Sequence, residues 1–78
     1  MSAVRSIELL RLLVARLERL SVDSRWAHRA SGLRGNIIKL LEMAEIGNIP
    51  SASRMNRLIN ASFDILRHAG EEIPYHEL

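Results

Sequence analysis

The stretch Ser24 to Ile38, SRWAHRASGLRGNII, decides the fold. It sets a tryptophan, three arginines, a histidine and two glycines inside what otherwise reads as helix. Two glycines in a helix interior cost about 1 kcal/mol each relative to alanine, and SGLRGN also reads as a turn with Asn36 capping a new helix. A break there would give the outline of a helix-turn-helix. Such a motif needs polar and basic residues facing phosphates and bases, whereas the segment that follows, IIKLLEMAEIG, is apolar and carries two glutamates and one lysine. Periodicity points the other way. Trp26, Ala30, Leu33, Ile37, Leu40, Leu41 and Ala44 recur at spacings of three and four straight across the glycines, and they share one face only if the helix is continuous.

A continuous helix leaves the glycines to be explained by packing. Ala27, Ser31 and Gly35 lie four residues apart on a flank away from the Trp26 stripe, and Gly32 adds a further gap beside His28. A track of small residues lets a second helix backbone approach closely. With Ile38, this flank is the expected oligomer contact, its neighbour being either the third helix or another copy of the chain.

Outward from this segment, two more helices emerge. The first is expected over about 3–20. At about 100° per residue, Ala3, Ile7, Leu9, Leu10, Leu13, Val14, Leu17 and Leu20 fall within roughly 160°, an arc wide enough to touch more than one neighbour. Leu12 stands alone among the charges on the other side. The second helix, over about 24–46, starts at an Asp23 or Ser24 cap and stops at Gly47. The third, over about 51–69, is capped by Asn48 or Ser51, with Pro50 near its first turn, and closed by Gly70. Its inner face is Met55, Leu58, Ile59, Ser62, Phe63, Ile65, Leu66 and Ala69, and its outer face Asn56, Arg57, Asn60, Asp64 and Arg67. Pro74 argues for a short non-helical tail, with Ile73 and Tyr75 available to fold back. The fold class is therefore all-α, one domain over 1–78: a three-helix antiparallel bundle expected to assemble into a homo-oligomer.

Composition supports that reading. Of 78 residues, 47% are hydrophobic and only 4% aromatic, which suits a helical bundle better than a sheet sandwich. A chain this short buries only about 60% of its unfolded surface, so a second copy or a partner would help stability. There is no cysteine, hence neither disulfide nor thiolate-bound zinc, and the expected compartment is the cytoplasm. The most apolar stretch, Ile7 to Leu17, is interrupted by Arg11 and Arg16 and falls short of a membrane span, so no membrane partner is expected.

Charge is uneven. Residues 1–39 carry eight basic and three acidic side chains, a net of +5, and residues 40–78 carry three basic and six acidic ones, a net of −3. The ten arginines to one lysine suit bidentate pairing with carboxylate or phosphate, and a GC-rich genome would give the same bias. Arg16, Arg19, Arg25, His28, Arg29 and Arg34 form the candidate anion or nucleic-acid patch, with Trp26 a stacking ring if it is exposed. The simpler expectation is a solvated arginine face paired with acids of the back half. His28 is also a candidate pH-sensitive contact.

Catalytic patterns are absent. No nucleophile elbow, phosphate loop, dinucleotide fingerprint or zinc-protease motif occurs, and Gly32 and Gly35 follow no strand. Asp64, His68, Glu72 and His76 are spaced by four as metal ligands could be, but Gly70 and Pro74 are expected to interrupt that helix. The expected function is a non-catalytic helical interaction module, an oligomerising adaptor or small accessory subunit, with no cofactor and no metal. The alternative is a nucleic-acid-binding protein using the basic face of helices one and two.

Overall fold

Three helices make up the computed structural model, which describes residues 2–20 and 25–72: α1 (Ala3–Glu18), α2 (Ala27–Glu45) and α3 (Ala52–Glu72). Each is in contact with the other two, and the described residues contain no strand. The architecture is the expected all-α three-helix bundle.

The helix ends show how local chemistry shapes it. Ser2 caps α1 in extended conformation, its hydroxyl accepting from the Arg5 amide at 3.3 Å. The helix stops at Glu18, two residues earlier than expected. There the chain tightens into a turn in which the Arg19 and Leu20 amides donate to the carbonyls of Arg16 and Leu17. The α2 C-terminus is a Schellman arrangement: the Asn48 amide donates to the Met43 carbonyl, the Gly47 amide to that of Ala44, and Gly47 takes φ +93°. Ser51 caps α3, its Oγ accepting from the Arg54 amide at 3.1 Å, so Pro50 precedes the cap.

Two boundaries are corrected. The expected Asp23 or Ser24 cap lies outside the described residues, and α2 begins only at Ala27, after a turn at Arg25 and Trp26 in which no side chain caps the helix. The Trp26 ring is held by a tertiary contact with α3 instead, described below. At the other end of the chain, Gly70 does not close α3, which runs on to Glu72. Glycine ends a helix when it adopts positive φ, and otherwise only weakens it. The tail, 73–78, lies outside the described residues.

Helix α2 is continuous through Gly32 and Gly35, and the expected stripe is the one that is buried. Ala30, Ile37, Leu40 and Leu41 enter the core, Trp26 and Leu33 pack half-buried against it, and Ala44 is half-buried. Leu10, Leu13 and Leu17 of α1 meet them, together with Met55, Ile59 and Ile65 of α3. The wide arc of α1 does contact both other helices, although Ala3 at its margin is exposed. Ser62 is buried on α3 because its hydroxyl donates to the Leu58 carbonyl at 2.8 Å, which satisfies the polar group inside the helix. Ser6, also buried, was not assigned to the inner face from sequence.

Candidate interaction surface

One end of the α2–α3 pair is closed by an aromatic stack. The Trp26 and His68 rings lie 4.8 Å apart at 29°, and the Arg29 guanidinium sits over the indole at 5.2 Å. Such contacts each contribute on the order of 1 kcal/mol. His68 Nδ1 is 2.8 Å from the Asp64 carbonyl and 3.5 Å from its carboxylate, which also pairs with Arg67 at 3.2 Å. The indole is thus a half-buried internal contact, and it is engaged by His68 and Arg29.

The arginine patch is exposed at Arg16, Arg19, Arg25, His28 and Arg29 and half-buried at Arg34. Arg16 and Arg19 lie on α1, and the others on or just before α2. Across the two halves Arg11 pairs with Glu45 at 3.7 Å, and both side chains are exposed, so the pair contributes at most about 1 kcal/mol.

The small-residue flank faces outward. Ser31, Gly32, Gly35 and Ile38 are exposed and Ala27 is half-buried. A Cβ added at Gly32 or Gly35 would meet nothing within 4 Å, so α3 is not the close neighbour that one expectation required. The core stripe lies on the opposite side of α2, and α3 packs there.

Asp64 and His68 share α3 with Glu72, since the helix is not interrupted at Gly70. His76 lies outside the described residues, and no group of three metal-ligating side chains is found among the described ones. No helix among the described residues is long and apolar enough to cross a membrane.

What sequence reasoning missed is an apolar groove between α1 and α3. Phe63, expected on the inner face, is 51% exposed. Leu12, expected as a lone exposed leucine, is 62% exposed and lies in the same groove. Leu9, Leu13 and Leu66 complete its floor, Arg16 and Arg67 stand at its rim, and its volume is about 480 Å³. The signal was position: at about 100° per residue Phe63 falls at the margin of the α3 inner face, and that margin remains in solvent.

A second apolar cluster sits at the α2–α3 corner, where Met43, Ile46 and Ile49 are exposed, Ile46 by 73%. It borders an open pocket of about 870 Å³ between Lys39, Glu42 and Arg54.

No known protein family, curated protein or solved structure matches this chain.

Proposed function

We propose that the protein is a non-catalytic helical interaction module, an oligomerising adaptor or small accessory subunit that works through its helix faces. The observation that carries this reading is the α1–α3 groove, which Leu12 and Phe63, both more than half exposed, line together with Leu9 and Leu66. Single exposed apolar residues are ordinary, but a contiguous patch with a charged rim is the usual form of a protein contact site. The open small-residue flank of α2 is a further face on which a helix could approach closely.

The test is a native pull-down with two baits, the wild-type chain and a Leu12→Glu/Phe63→Glu variant, with helicity of both checked by circular dichroism. Association with itself or with a second protein is expected for the wild type and lost in the variant. A folded wild type that is monomeric at micromolar concentration and captures the same proteins as the variant sinks the reading. Binding to generic DNA or RNA that weakens steeply with salt would move the assignment to a nucleic-acid-binding protein using Arg16, Arg19, Arg25, Arg29 and Arg34.

A further inference from the structure

We draw no further inference here: the strongest candidate, the apolar α1–α3 groove that Leu12 and Phe63 line, has Arg67 at its rim already paired with Asp64, and nothing in the structure shows what covers it.

Discussion

Gly35 and Gly47 are the same residue type under opposite constraints. Gly35 sits in an ordinary helical conformation with open space where a side chain would go, whereas Gly47 holds φ +93° at the end of α2. Gly35→Ala should therefore raise stability by about 0.5–1 kcal/mol, since alanine lowers the entropy of the unfolded chain and meets no obstacle. Gly47→Ala should lower it by about 1–2 kcal/mol, because a Cβ in the left-handed region crowds the following carbonyl. Thermal unfolding at low protein concentration reads both signs. A loss of stability for Gly35→Ala that appears only at high concentration would mean that another backbone comes close to the α2 flank.

At the scale of the element, the helices differ in what holds their ends. Ser51 starts α3 by local chemistry alone, so Ser51→Ala should cost about 1 kcal/mol in urea unfolding with an unchanged m-value. The start of α2 has no such cap among the described residues and is marked by Trp26 on His68, a contact with the last turns of another helix. This is why the α3 start and the Gly47 stop were legible in the sequence while the α2 start was misplaced. A cap is written in a few adjacent residues; a stacking partner forty residues away is not. The overrun of α3 past Gly70 has a related cause. Glycine is common at helix ends but does not compel one, and in a helix of 21 residues its penalty is small against the packing of the preceding turns.

Across the whole molecule, stability rests on a few leucines and isoleucines meeting at the centre of three helices. Leu13 of α1 is buried among residues of α2 and α3, and Leu13→Ala should cost about 2–5 kcal/mol, enough in so small a core to leave a substantial unfolded fraction at 37 °C. Circular dichroism melts would register it as a broad, early transition, and a melt unchanged from wild type would contradict this packing.

The sequence by itself determined the three helices, the continuity of α2 across its glycines and the stripe that α2 buries. These follow from periodicity and end signals, which depend only on neighbours along the chain. The tertiary structure alone decided which margins of the apolar faces stay in solvent. Phe63 and Leu66 are adjacent on α3 to residues that are fully buried, and only the way α1 lies against α3 leaves Phe63 beside Leu12 in an open groove. The same holds for the α2 flank, which sequence could mark as small but not as open. Helical phase gives each side chain a direction, and only the placement of the other helices says what, if anything, stands in that direction.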